Sequence, residues 1–135
     1  MNTTKRRDIP RFNTPIVETH CHLDYLEADA LGEVLDAAFE AGIERIVTVS
    51  VSADNLDAVR DIADSHDAIW CTQGIHPHEA DSWTTHLGQR VTEGSQHARV
   101  VAIGEIGLDY FYEHADRKAQ LNAFDAQLDL SLIHI

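Results

Sequence analysis

The sequence predicts an α/β chain built on a parallel sheet, and three observations carry that prediction. Short β-branched runs alternate with longer segments of helical periodicity. Four such strand–helix units follow one another, with strands apolar enough to be covered on both faces, as parallel strands are. The chemically suggestive side chains all fall just after strands, where βα enzymes assemble their sites.

The elements follow in order. Pro15-Ile16-Val17 with Thr19 reads as the first strand, and Leu31 to Ala41 as a helix with Leu31, Val34, Leu35 and Ala38 on one stripe. Gly42 stands where a left-handed cap residue ends that helix. Arg45-Ile46-Val47-Thr48-Val49 is a β-branched second strand, and Asp54 to His66 repeats the helical pattern through Leu56, Val59, Ile62 and Ala63. Ala68-Ile69-Trp70-Cys71-Thr72 makes the third strand, followed by a weaker helix from Ser82 to Val91 carrying Trp83, Leu87 and Val91. Val100-Val101-Ala102-Ile103 is the fourth strand. The fourth helix runs from Asp116 to about Leu130, with Leu121, Phe124 and Leu128 spaced for one face.

At 135 residues, 44% of them hydrophobic, the chain has the size and apolar content of one modest domain. No apolar run approaches the roughly 20 residues of a membrane span. Residues 1–15 read as a polar extension: Lys5, Arg6, Arg7 and Arg11 have no apolar stretch after them, unlike a secretory signal. Two cysteines, Cys21 and Cys71, on separate predicted strands point to a reduced, cytoplasmic setting. The formal charge of −13, from 23 acidic against 10 basic residues, argues against tight reading of a polyanion through basic patches. It leaves room for a nuclease whose bound metal ions supply positive charge locally. Nothing in the sequence marks an obligate protein partner.

Three clusters carry chemistry. In Glu18-Thr19-His20-Cys21-His22-Leu23-Asp24, the two histidines stand two apart on a strand, so both imidazoles project from one face toward one point. With acidic neighbours such a pair can bind a divalent metal. Alone the pair is weak evidence, and surface or core roles for histidine account for it more readily. Cys21 between them turns to the opposite face and has no Cys-x-x-Cys partner, so it reads as a structural cysteine. In Gly74-Ile75-His76-Pro77-His78, glycine and proline stiffen a turn that fixes two imidazoles; the plain alternative is a solvated loop. In Ile103-Gly104-Glu105-Ile106-Gly107-Leu108-Asp109-Tyr110, a glutamate between glycines is sterically open and suited to bridging two metal ions. Asp109 is placed to orient a ligand, and the competing reading is an exposed acidic turn. Tyr110, Phe111 and Tyr112 either stack on bases or floor the loop.

Together these clusters resemble the TatD family of metal-dependent deoxyribonucleases, among the amidohydrolase-like TIM-barrel hydrolases. Arg117, Gln120, Phe124, Gln127 and Leu128 extend the likeness, which covers about residues 16–130. Glu18 departs from it, since the family usually carries aspartate there. The resemblance implies a (β/α)8 TIM-barrel type truncated to about four βα units, a half barrel. It implies metal ligation by His20, His22 and Glu105, with two divalent ions (magnesium, manganese or zinc) per complete site. His76, Asp109 and Tyr110 are then expected at phosphate or sugar, and DNA is the expected substrate.

The family's remaining ligands, two histidines and an aspartate from later strands, have no counterpart here. The catalytic aspartate is therefore expected in the missing half, and 131–135 is expected to be a short tail, read as non-native. His134 comes too early to replace a later ligand. The implied activity is phosphodiester cleavage by two-metal-activated water in the full-length parent. The alternatives are another amidohydrolase-like ester or amide hydrolysis, or an inactive fragment. Carrying three ligands, the chain by itself is expected to bind metal weakly, cleave DNA negligibly, and be unstable or self-associate through its unpaired sheet edges.

Overall fold

A computed structural model describes residues 8–134. Of the polar extension, residues 1–7 lie outside the described residues, as does Ile135 of the tail. Four strands, β1 (Ile16–Cys21), β2 (Ile43–Thr48), β3 (Ile69–Gln73) and β4 (Val100–Ile103), form one sheet in the order β1-β2-β3-β4. Every pairing is parallel, with Ile16 opposite Ile43, Ile46 opposite Ile69 and Cys71 opposite Val100. The helices are α1 (Ala28–Glu40), α2 (Leu56–Asp64), α3 (Thr85–Gly94) and α4 (Arg117–His134). Sequential parallel strands joined through helices are the (β/α) barrel arrangement, here with four consecutive units.

Local signals explain most boundaries. Gly42 ends α1 with φ of +105°, a conformation that costs glycine little and other residues more. The Thr84 hydroxyl caps α3 by accepting from the Leu87 N–H at 3.1 Å. At the start of α4 the Asp116 carboxylate accepts from the Lys118 and Ala119 N–H groups at 2.9 and 3.2 Å. The third helix starts at Thr85 rather than Ser82, because Pro77–Ser82 closes into a 3-10 segment first.

Two apolar clusters tie the units together. Leu35 of α1 and Val59 and Ala63 of α2 pack with Ile46, Ile69, Cys71 and Val100 of the sheet. Leu56, Ile75, Leu87, Val91 and Leu130 form the second cluster beneath the loop that follows β3. The fourth helix departs from its apolar stripe. Leu121 and Leu128 are exposed, and the buried positions are Gln120, Ala123, Gln127 and Leu130. This helix also runs on to His134 instead of ending near Leu130, no glycine or proline intervening. Among the described residues no helix is long and apolar enough to cross a membrane.

Candidate metal centre

β1 delivers His20 to the carboxyl edge of the sheet, the residue just past its end is His22, and the turn after β4 delivers Glu105. One ligand atom from each lies within 4.8 Å of the other two. The His20 Nε2 is 3.3 Å from Glu105 Oε2, while His76 Nε2 is 3.4 Å from Glu105 Oε1. The carboxylate thus addresses a different imidazole with each oxygen. Two imidazoles and a carboxylate form a donor set suited to zinc or manganese, and bonds of about 2.1 Å need only a modest closing of these side chains. The surrounding cleft has a volume of about 300 Å³, and Tyr25 and His78 also line it. Burial of the His76 ring lowers its proton affinity, and the Glu105 carboxylate opposes that shift.

Strand alternation turns Cys21 to the opposite side, where its Sγ lies 3.7 Å from the Val47 carbonyl oxygen and packs on the first apolar cluster. Burial raises this thiol to about 11, so it is a neutral packing group. Glu18 accepts the His20 N–H at 2.8 Å, steadying the strand end. His22 Nδ1 lies 3.3 Å from the Val49 carbonyl oxygen, and its ring stacks on Tyr25 at 4.9 Å. That contact leaves Nε2 as the nitrogen available for ligation.

Buried hydroxyls stitch the strand ends together. Ser50 Oγ donates to the Gly74 carbonyl oxygen at 2.7 Å, and Thr72 Oγ1 donates to the Gly104 carbonyl oxygen at 2.6 Å. The Glu105 N–H donates to the Ser50 carbonyl oxygen at 2.8 Å. Gly74 permits this closeness: a Cβ there would stand 2.6–2.8 Å from the Gly104 backbone. Asn55 accepts the Val51 and Ser52 N–H groups and donates to Asp24 at 2.9 Å.

Helix α4 grips the two site loops from behind. The Gln127 side chain accepts the Ile75 N–H at 2.7 Å and donates to the Ile75 carbonyl oxygen at 3.2 Å. One heptad earlier, Gln120 accepts the Asp109 N–H at 2.7 Å and donates to the Asp109 carbonyl oxygen at 3.0 Å. Each glutamine therefore clamps both polar groups of one loop residue, directly before His76 and at Asp109 itself.

The remaining expected site residues separate. Asp109 meets His78 Nε2 at 2.6 Å and accepts the Phe111 and Tyr112 N–H groups at 3.0 Å each. The Tyr112 N–H, then the His78 ring, hold its carboxyl below the ordinary range. Tyr110 does not line the cleft; its ring lies 4.6 Å beneath the Arg117 guanidinium. The reason is local, since Asp109 turns the chain back on itself through those two N–H bonds. The set of residues expected at phosphate or sugar left out His78, which lines the cleft and belongs to the His-Pro-His turn. It also passed over the positioning roles of Ser50, Thr72, Gln120 and Gln127, which a pattern of apolar periodicity cannot reveal.

A parallel βα sheet with a histidine–carboxylate cluster at its carboxyl edge is the arrangement in which (β/α) enzymes hold metal ions. The profile of the TatD related DNase family matches residues 17–134, and the chain belongs to that family. It is 37% identical over 98 residues to the 3'-5' ssDNA/RNA exonuclease TatD of Enterobacter lignolyticus, covering 73% of this chain and 38% of that one. It is 32% identical over 117 residues to the uncharacterized metal-dependent hydrolase YabD of Bacillus subtilis, covering 86% and 46%. Among solved structures, YJJV, a TatD homolog from Escherichia coli K12, superposes with a TM-score of 0.79 at 28% identity, covering 88% of this chain and 47% of that one. The chain thus spans less than half the length of these relatives.

Proposed function

We propose that the chain contributes one half of the metal-holding side chains of a nuclease site that cleaves phosphodiester bonds in single-stranded nucleic acid. The observation that carries this reading is the convergence of His20, His22 and Glu105 within 4.8 Å at the carboxyl edge of a parallel sheet. The names of the exonuclease relatives support the substrate class. Here His20, His22 and Glu105 would hold the divalent ions. Ions bound there supply the positive charge that neutralises the transferring phosphoryl oxygens and make water more acidic. His76, beside Glu105, donates to a phosphate oxygen. Asp109 acts one step back by orienting His78. The two free cysteines fit a cytoplasmic setting.

The test is calorimetric binding of manganese, magnesium or zinc together with hydrolysis of an end-labelled single-stranded oligonucleotide. Wild type is compared with His20→Ala and Glu105→Gln. With three ligands, binding is weak and cleavage negligible, and the binding vanishes in either variant. Turnover of an aminoacyl ester with the oligonucleotide left intact would move the assignment to deacylation. Cleavage that survives both substitutions would overturn the metal reading.

A further inference from the structure

We propose that Phe111 and Tyr112 form a base-stacking platform that holds the unpaired strand beside the cleft; this rests on the nuclease reading above. These residues lie in the loop after β4, beyond the carboxyl edge of the sheet that carries the histidines. A ladder of rings leads out from the cleft to them. His76 and His78 have centroids 4.4 Å apart, His78 and Tyr112 6.0 Å, and Tyr112 and Phe111 4.8 Å. Tyr112 is also stacked on His114, at 5.8 Å and 10° between planes.

The outer rings are open to solvent, Phe111 at 85% and Tyr112 at 64%. Exposed neighbouring aromatics of this size mark interaction surfaces rather than packing. They are also held rigidly. The Asp109 carboxylate accepts both of their N–H groups, and Gln120 clamps Asp109 from α4. A stacking surface ordered before binding spares the entropy of ordering it afterwards.

Charge decides which occupant fits. With 23 acidic and 10 basic residues, the chain has little means of following a phosphate backbone outside the metal centre. Arg117, at the start of the following helix, already pairs with Glu113 and lies over Tyr110. Affinity for a strand beyond the cleft must therefore come from its bases, whose faces stack on aromatic rings whatever the sequence.

The experiment measures fluorescence anisotropy of a labelled oligothymidylate with a hydrolysis-resistant phosphorothioate backbone, in manganese. An abasic oligonucleotide of the same length and backbone runs in parallel. The proteins are wild type, Phe111→Ala, Phe111→Leu, Tyr112→Ala and Tyr112→Phe. Each alanine variant should weaken oligothymidylate binding about tenfold and leave abasic binding unchanged. Tyr112→Phe should retain affinity, whereas Phe111→Leu, apolar but without a π face, should lose it. Equal binding of both oligonucleotides, unaltered by the substitutions, overturns the platform and leaves the nuclease reading standing. Binding of neither by wild type overturns both. Self-association in sedimentation that Phe111→Ala abolishes, with oligonucleotide binding unmoved, assigns the patch to a second copy of the chain and also overturns the platform.

Discussion

Replacing Gln127 with leucine removes one end of the clamp that seats the loop carrying His76. The side chain is 1% exposed and makes three hydrogen bonds, to the Ile75 N–H, the Ile75 carbonyl oxygen and the Ala123 carbonyl oxygen. Leucine is of similar size, so no large cavity opens and the loss is polar. Ile75 is itself 1% exposed, and water cannot readily replace the glutamine. Stranding a buried N–H or carbonyl oxygen costs about 1–3 kcal/mol each. The two Ile75 groups together give about 2–6 kcal/mol, and the extra apolar contact of leucine offsets about 1 kcal/mol. A net loss of about 3 kcal/mol follows, which for a chain of this size lowers Tm by about 10 °C. Urea unfolding and amide hydrogen exchange at Ile75 provide the assay, with Asp125→Ala on the exposed face of the same helix as the comparison. Asp125→Ala should stay within about 0.5 kcal/mol of wild type. A Gln127→Leu loss below about 1 kcal/mol, with Ile75 exchange unchanged, would refute the clamp.

Gly74→Ala places a methyl group 2.6–2.8 Å from the Gly104 backbone; the resulting shift should cost about 1–3 kcal/mol and weaken manganese binding about tenfold by calorimetry. Unchanged affinity would disconnect that contact from Glu105. Cys71 is fully buried, and burial pushes its thiol up to about 12, so a disulfide reagent at mildly alkaline pH should modify it only after unfolding. Because the folded value lies above the ordinary 9.0, the stability it lends is complete below about pH 9 and drains away as pH rises toward 12. Asp109 has the opposite sign: its folded value lies below 3.8, so its contribution is complete above that pH and is lost as pH falls through the folded value. Side-chain NMR titration should place its midpoint below 3.8 and move it upward in His78→Ala, and an unmoved midpoint would remove the His78 bond as a cause.

The sequence by itself determined the succession of strands and helices, because β-branched runs, apolar periodicity and breakers such as Gly42 act over a few residues. Period-two alternation also predicted the facing of His20 and His22 away from Cys21, and that facing holds although β1 shifts register against β2 between Glu18 and Cys21. It further placed Glu105 at a strand end between glycines. What the tertiary structure decided is which groups meet across the strand ends. The division of Glu105 between His20 and His76, and the bond from His78 to Asp109 rather than a role for Tyr110 in the cleft, depend on loop paths with no local period. Helix α4 shows the reason most clearly. Its leucines at 121 and 128 suggested a buried apolar stripe, yet Gln120 and Gln127 are buried instead. Two loops leave backbone groups that must be satisfied, and only the folded sheet brings those groups to the helix.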